Sequence, residues 1–351
     1  MEKKFMTGNE AIAEAAVQAG CRYFFGYPIT PQSELPEHLA RRLPEVGGCF
    51  LQAESEIAAI YMVFGASGAG ARVLTSSSSP GISLKQEGIS YMAGAELPCV
   101  IVNIMRGGPG LGGIQPTQSD YFQATKGGGH GDYHLIVIAP STVQEAVSLT
   151  MEAFDLADKY RNPVMILGDG YLGQMMEPVE FRKRKPQPLP SKNWALTGAK
   201  GRPRRIIKTL YLQPEILEQC NLVLHRKYQE IKKNEIRVET YLTEDAEIII
   251  AAYGTVARIA KSAIKILREK GIKTGLVRPI TLFPFPYQTF AQMSDRIKKI
   301  LVVEMSLGQM VEDVKLGVCG KAKVYFYGRT GGMVPTYDEI VTEVEKIMKE
   351  V

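Results

Sequence analysis

The sequence predicts an α/β protein: a doubly wound parallel-sheet domain, then a smaller α/β domain, joined by a basic, proline-rich stretch. Three observations carry this. Short uncharged runs alternate with 3.6-residue helical patterns up to about residue 170, the rhythm of a parallel sheet with crossover helices. The same rhythm restarts near Tyr241. Between them Pro186, Pro188, Pro190 and Pro203 interleave with Arg182, Lys183, Arg184, Lys185, Arg202, Arg204 and Arg205, a composition that regular structure does not tolerate. The expected boundaries are residues 1–180, 181–240 and 241–351.

At 45% hydrophobic and 23% charged residues, the composition is that of a soluble globular protein with sizeable cores. No apolar run reaches the roughly 18 residues of a membrane helix. Met-Glu-Lys-Lys-Phe-Met-Thr-Gly offers no signal core, so a cytoplasmic location is expected. Cys21, Cys49, Cys99, Cys220 and Cys319 are scattered without a Cys-x-x-Cys pair. That argues against an iron–sulfur cluster or structural zinc on this chain and leaves them as small core residues. A net charge of +5 is too mild to argue for nucleic acid.

Each element follows from its own pattern. Thr7-Gly8-Asn9-Glu10 caps an Ala-rich amphipathic helix over 6–19. Residues 22–26 read as a strand, and Thr30 can cap a helix that has Pro31 as its first residue and runs to Leu43. Residues 48–51 read as a buried strand. The helix after it repeats Ile57, Ile60, Tyr61 and Phe64 at i, i+3, i+4, i+7. Strands follow over 71–75, 98–105, 135–140 and 162–167, the last completing the first domain. The run 98–105 is β-branched and uncharged, as a buried parallel strand requires. Ser76 to Ser79 before Pro80-Gly81 make both a helix start and an anion nest, and capping alone explains them equally well. Ser141 or Thr142 caps the helix through Tyr160, with Glu145 in capping-box position to Thr142. Residues 214–238 form a polar amphipathic helix. In the second domain, strands near 247–253, 273–277, 300–304 and 323–327 alternate with helices over 256–270, 309–316 and 338–349.

Chemistry-bearing residues collect at the carboxyl ends of the strands, the edge where open α/β sheets bind ligands. Glu54 and Glu56 stand at a strand-to-helix turn, where complementing the helix dipole already explains an acid. Arg106 ends a strand beside glycines. Its fork fits a carboxylate bidentately, or a structural ion pair. Gly108, Gly110 and Gly113 spell a formal Gly-x-Gly-x-x-Gly, yet Ile-Gln-Pro follows where a dinucleotide site needs a helix. This stretch therefore reads as a substrate loop, with a nicotinamide site as the rival. His130, in the glycine-rich 126–132, is a donor to substrate or a turn cap. The basic arm over 181–210 is a solvated charge run or a docking segment.

Glu56, the small Ala58 and Ala59, and then Gly65-Ala66-Ser67-Gly68-Ala69-Gly70 resemble the pyrimidine-binding domain of thiamine diphosphate enzymes. In that family a Glu precedes the glycine by nine residues, so the motif Glu maps to Glu56. The resemblance implies that its buried carboxyl bonds the pyrimidine N1′ and stabilises the imino tautomer whose N4′ takes the thiazolium C2 proton. Burial favours the protonated carboxyl that can donate this bond. Tyr27-Pro28-Ile29-Thr30-Pro31 resembles the signature of the 2-oxoacid:ferredoxin oxidoreductases. By that resemblance Tyr27, Pro28, Ile29, Thr30, Glu56 and Ser79 contact the cofactor, and Thr30 and Glu56 are catalytic. Thr30 and Arg106 bind substrate, Arg106 through its carboxylate. Gly168-Asp169-Gly170 with Asn193 mimics the family's metal motif, but the basic proline-rich stretch between them cannot form the helix and strand that motif needs. The metal and diphosphate are therefore expected on another subunit. Residues from about 241 resemble the C-terminal domain of the transketolase group, whose usual role is assembly.

The resemblance covers nearly the whole chain and is closest to the branched-chain form of the family. It implies the α subunit of an enzyme that oxidatively decarboxylates 2-oxoisovalerate with coenzyme A to acyl-CoA, CO2 and reduced ferredoxin. Thiamine diphosphate would lie between this chain and a β subunit carrying Mg2+ and a [4Fe-4S] cluster. A γ subunit, a cluster-bearing ferredoxin-like δ subunit and self-association are also implied. Leu111 and Ile114, with no second cation in 107–117, favour an apolar substrate side chain. The rivals are pyruvate or 2-oxoglutarate as substrate, a non-catalytic assembly subunit, and a nicotinamide-dependent dehydrogenase using Gly108–Gly113.

Overall fold

The computed structural model describes residues 3–182 and 188–350. Lys183, Arg184, Lys185 and Pro186 of the expected arm lie outside the described residues. In chain order the elements are β1 (Lys4–Thr7), α1 (Gly8–Gln18), β2 (Tyr23–Gly26), α2 (Glu34–Glu45), β3 (Cys49–Gln52), α3 (Glu56–Gly68), β4 (Val73–Ser77), α4 (Pro80–Gly94) and β5 (Val100–Met105). Next come α5 (Tyr121–Thr125), β6 (Ile136–Ile138), α6 (Val143–Tyr160), β7 (Val164–Asp169), α7 (Gly170–Gln174), β8 (Met176–Val179), α8 (Pro214–Asn234) and β9 (Val238–Tyr241). The remainder is β10 (Ile248–Ala251), α9 (Gly254–Glu269), β11 (Thr274–Pro279), β12 (Thr281–Phe283), α10 (Tyr287–Arg296), β13 (Lys299–Glu304), α11 (Met310–Val318), β14 (Lys323–Gly328) and α12 (Tyr337–Lys349).

Helix starts are chemically specified. Thr7 and Glu10 form a reciprocal capping box on α1, and Thr336 and Glu339 do the same on α12. Ser55 caps α3 through Ala58 N, and Thr142 caps α6 through Glu145 N. Glu145 does not return the bond to Thr142. Its carboxylate accepts from Ser141 N and Oγ and from Arg278.

The first sheet runs β12-β6-β7-β5-β4-β2-β3. All neighbours are parallel except β12 on β6. The second runs β14-β13-β10-β11-β9, parallel except for β9. β1 and β8 pair antiparallel beside α1 and α6. Strands β4, β5 and β7 are buried along their whole length, as central parallel strands covered on both faces should be.

Three expectations are corrected. The strand at 162–167 does not complete the first sheet, because β12 returns from the second half of the chain to the free edge of β6. β3 is not buried. It is the opposite edge strand, and Cys49, Leu51 and Gln52 are exposed. Helix α2 begins at Glu34, not Pro31, and Thr30 caps nothing. The Pro31 carbonyl instead accepts from Asn9 of α1 (2.8 Å) and Gln174 of α7 (3.0 Å), and the same two amides bind Glu34.

The two sheets share one contiguous apolar core, which includes Ile104 and Phe154 from one side and Tyr253, Val277 and Phe290 from the other. Arg278 of β11 ties them together. It is 2% exposed and bonds Glu145 of α6 through both Nη atoms (2.7 and 2.9 Å) and Glu239 of β9 through Nε (2.7 Å). Burial pushes the Glu145 carboxyl up, but the bonds and charge of Arg278 together with the Ser141 bonds hold the group below the usual carboxylate range. Arg278→Met leaves the Glu145 carboxylate without its cation, while Glu239 keeps Lys261. The expected loss in urea unfolding is about 2–4 kcal/mol; a loss within about 0.5 kcal/mol, the range of ordinary surface substitutions, would contradict the bridging role.

Candidate active site

Parallel strands deliver their carboxyl ends to one edge. β2 leads to Thr30, β3 to Glu56, β4 to Ser78 and Ser79, β5 to Arg106 and β7 to Asp169. This edge holds Thr30, Glu56, Ser79, Arg106 and Asp169, whereas His130 stands apart. The His130 ring stands edge-on to Tyr91 with centroids 6.0 Å apart, and its carbonyl accepts from Ser90.

Glu56 opens α3 and is buried, whereas Glu54 is exposed. The Glu56 carboxyl lies against Gly81 at the start of α4. A Cβ at Gly81 would sit 2.7 Å from Glu56 Oε1 and 2.0 Å from Ser77 Oγ, so only glycine leaves room for both. The helical stripe after Glu56 does not all face the core. Ile60 is buried, but Ile57 is 45% and Tyr61 37% exposed, and Leu51 and Leu84 are exposed as well.

Lys85, on the same helix as Gly81, was invisible in the sequence because Lys-Gln-Glu reads as a solvated face. It is fully buried, and its Nζ donates to Thr75 Oγ1 (2.7 Å) and the Ser76 carbonyl (2.9 Å). Burial pulls its pKa down to about 7, against an opposing pull from the Glu56 charge.

Ser79 does not cap α4. Its Oγ donates to Asp120 (2.6 Å) and accepts from Arg106 N (3.0 Å), while Asn103 bonds both Ser79 N and Asp120. Burial raises the Asp120 carboxyl, and the bonds from Ser79 and Asn103 pull it back. Asp120 and Asn103 thus belong to the site's frame, and no local sequence signal marks them.

Arg106 is buried and spans the site. Nη1 donates to the Thr30 carbonyl (3.0 Å), Nη2 to the Leu111 carbonyl (3.2 Å), and Nε has no partner. Thr30 is exposed and borders a cleft of about 550 Å³ with Ile114, Gln115, Tyr171 and Gln174. Tyr27 and Pro28 are exposed and Ile29 is half-buried. Gln32 Nε2, Ser77 Oγ, Ser78 Oγ and Arg106 Nε are all buried without a partner among the described residues. Buried polar groups are normally bonded, so four orphans at one sheet edge fit a polar ligand such as the aminopyrimidine and carboxylate the motifs imply.

Two look-alike motifs resolve into structure. No helix opens at Gly113; Gly113 N returns to the Gly107 carbonyl and the next helix is α5. The geometry of a dinucleotide fingerprint is therefore missing. Asp169 is 2% exposed and caps α7 through Tyr171 N and Leu172 N (2.9 and 3.0 Å). Among the described residues no three His, Cys, Asp or Glu side chains converge as metal ligands.

The family described as pyruvate flavodoxin/ferredoxin oxidoreductase, thiamine diphosphate-binding, matches residues 14–241, and pyruvate:ferredoxin oxidoreductase core domain II matches residues 246–340. This chain belongs to the 2-oxoacid:ferredoxin oxidoreductase family. It is 50% identical over 350 residues to the ketoisovalerate oxidoreductase subunit VorB of Methanothermobacter marburgensis, covering 100% of this chain and 99% of that one. It is 39% identical over 375 residues to the 2-oxoglutarate synthase subunit KorA of Methanothermobacter thermautotrophicus, with 99% of each covered. Among solved structures, 2-oxoglutarate:ferredoxin oxidoreductase from Magnetococcus marinus superposes with a TM-score of 0.86 at 28% identity, covering 99% of this chain and 66% of that one. A split-gene transketolase, at TM-score 0.62, 15% identity and 97% coverage of each chain, shares the fold. The oxidoreductase subunit thus pairs a thiamine diphosphate-binding domain with a transketolase C-terminal-like domain, and works within a multi-subunit enzyme.

Lys85 gives a pH signature. Its folded pKa of about 7 lies below the ordinary lysine value of 10.5, so the unfolded chain binds more protons between those limits. Its burial cost is full below about pH 7 and fades toward 10.5. The stability of Lys85→Met relative to wild type should therefore improve by a few kcal/mol as pH falls from about 9.5 to 6.5, read from urea midpoints. Parallel profiles would contradict the buried, perturbed lysine.

Proposed function

We propose that this chain is the α subunit that holds the pyrimidine half of thiamine diphosphate and the 2-oxoacid in a branched-chain 2-oxoacid:ferredoxin oxidoreductase. The reaction is oxidative decarboxylation of 2-oxoisovalerate with coenzyme A to acyl-CoA, CO2 and reduced ferredoxin. The observation that carries the reading is the buried Glu56 carboxyl, seated against Gly81 and Ser77 among four orphaned polar groups.

When bound, thiamine diphosphate supplies a carbanion at its thiazolium C2. The buried Glu56 carboxyl would bond the pyrimidine N1′. Tyr27, Pro28 and Ile29 would help hold the ring, and Thr30, which borders the cleft, would bind the 2-oxoacid. Arg106 offers its free Nε to the substrate carboxylate and keeps Thr30 in place through the Thr30 carbonyl. Ser79 orients Arg106 from behind through Arg106 N. Leu111 and Ile114, 82% and 54% exposed, supply an apolar wall, and this and the 50% identical ketoisovalerate relative favour a branched substrate over 2-oxoglutarate or pyruvate.

The Mg2+, the diphosphate and a [4Fe-4S] cluster belong on a β subunit, with further clusters on a ferredoxin-like δ subunit beside a γ subunit. The exposed Leu51, Ile57, Tyr61 and Leu84 around the Glu56 helix suit a covering partner. A cytoplasmic, self-associating complex is proposed, with domains over residues 1–180 and 241–351 and a linker and helix over 181–240.

The test is dye reduction by the co-expressed complex with coenzyme A and a panel of 2-oxoacids. Glu56→Gln should assemble and lose roughly 10²–10⁴-fold in rate. Arg106→Lys should mainly raise KM for the 2-oxoacid, because a lysine cannot hold the Thr30 and Leu111 carbonyls and still offer a fixed N–H to the carboxylate. Full activity in Glu56→Gln would leave this chain a scaffold, and turnover of pyruvate or 2-oxoglutarate alone would overturn the substrate.

A further inference from the structure

The segment from Arg106 to Gln118 is a closed loop with two anchors. Arg106 bridges to Pro116, and Gly107 N donates to the Gln115 carbonyl (2.9 Å). The first anchor is Arg106 itself, at the end of β5. The second is not in the first domain at all. Thr117 Oγ1 and Gln118 N donate to the Met305 carbonyl (3.0 and 2.8 Å), and Met305 N donates back to Gln118 Oε1 (3.0 Å). Gln118 Nε2 donates to the Tyr253 carbonyl (3.0 Å), and Tyr253 Oη donates to the Gln118 carbonyl (3.1 Å). Every polar group of Gln118 is thus bonded at the ends of β10 and β13, and Thr117, Gln118, Tyr253 and Met305 are all buried.

A third contact sits between the anchors. The turn between β14 and α12 brings Gly331 and Gly332 against the loop. A Cβ on Gly332 would lie 2.4 Å from Gln115 Cβ, and one on Gly107 would lie 3.7 Å from the Gly331–Gly332 peptide. Gly331 is next in the same turn, also at positive φ, yet a Cβ there would meet nothing within 4 Å. The stretch held by these contacts, 107–114, is mostly glycine and has little stiffness of its own. It carries Leu111 and Ile114 and supplies the carbonyl that holds Arg106 Nη2. Its placement is therefore decided by what grips its ends.

We propose that the transketolase-like domain is a positioning element for the 2-oxoacid: through Gly332, Met305 and Tyr253 it clamps Gln115–Gln118 and so sets where loop 107–114 meets the substrate. This rests on the proposed substrate role of Arg106 and its loop. It gives the second domain a part in substrate affinity and side-chain choice, while thiamine diphosphate binding stays with the first domain.

The experiment uses the assembled complex carrying Gly332→Ala, with Gly331→Ala as the control that strains the same turn without reaching the loop. Gly332→Ala should raise KM for 2-oxoisovalerate roughly 10- to 100-fold with kcat changed far less, and alter the preference between branched and straight-chain 2-oxoacids. Thiamine diphosphate affinity, read by fluorescence quenching, should be unchanged, and amide exchange over 107–116 should quicken. Gly331→Ala should show none of the loop effects. Gln118→Met, which loses both side-chain bonds at similar volume, provides the same readouts if Gly332→Ala fails to assemble. An unchanged KM in Gly332→Ala or Gln118→Met, or equal effects in Gly331→Ala and Gly332→Ala, overturns the clamp alone. A wild-type complex that binds thiamine diphosphate but turns over no 2-oxoacid overturns the underlying reading and the clamp with it.

Discussion

The common direction of β2, β3, β4, β5 and β7 is the constraint on which the rest depends. Parallel strands must all end on the same side, so one edge collects Thr30, Glu56, Ser79, Arg106 and Asp169 from segments spread over about 140 residues. Crossover helices force the central strands to be buried on both faces, and burial strips water from the strand ends. That is what makes a carboxyl, a guanidinium and several hydroxyls at this edge chemically consequential instead of merely polar. The structure resolves the cost unevenly. Ser79, Asn103 and Asp120 satisfy one another, whereas Gln32, Ser77, Ser78 and Arg106 each keep one buried group unbonded.

Much of this was legible because it is local. The capping box at Thr7, the uncharged run of β5 and the turn to Glu56 each follow from residues within one or two turns. Glu56 could be told from Glu54 only by its distance to Gly65, and the structure separates them by burial. What escaped was non-local. Nothing near Thr30 says that Asn9 and Gln174 take the Pro31 carbonyl and delay α2 to Glu34. Nothing near Lys85 says that β4 covers it. Nothing near Thr281–Phe283 says that the free edge of β6 pairs with it. The stripe at Ile57 and Tyr61 has core periodicity but faces outward.

The two domains are consequently less separate than their sequence rhythms suggest. β12, the Arg278 bridge and the Gln118 anchor each join them through different chemistry: a strand pairing, a buried ion pair and a saturated amide. All three contacts converge on elements that border the strand-end edge. A deformation of the second sheet would thus reach the Arg106 loop through rigid, bonded groups rather than through loose packing. The outward apolar residues around α3 leave the opposite flank of Glu56 to be covered by something else.

The central claim is that the Glu56 carboxyl of this chain holds the pyrimidine ring. A structure of the assembled complex with thiamine diphosphate tests it most directly. The account predicts one Glu56 oxygen within about 2.6–3.2 Å of the pyrimidine N1′. A pyrimidine ring bonded instead by a carboxyl of another subunit, with Glu56 still closed against Gly81, would contradict it.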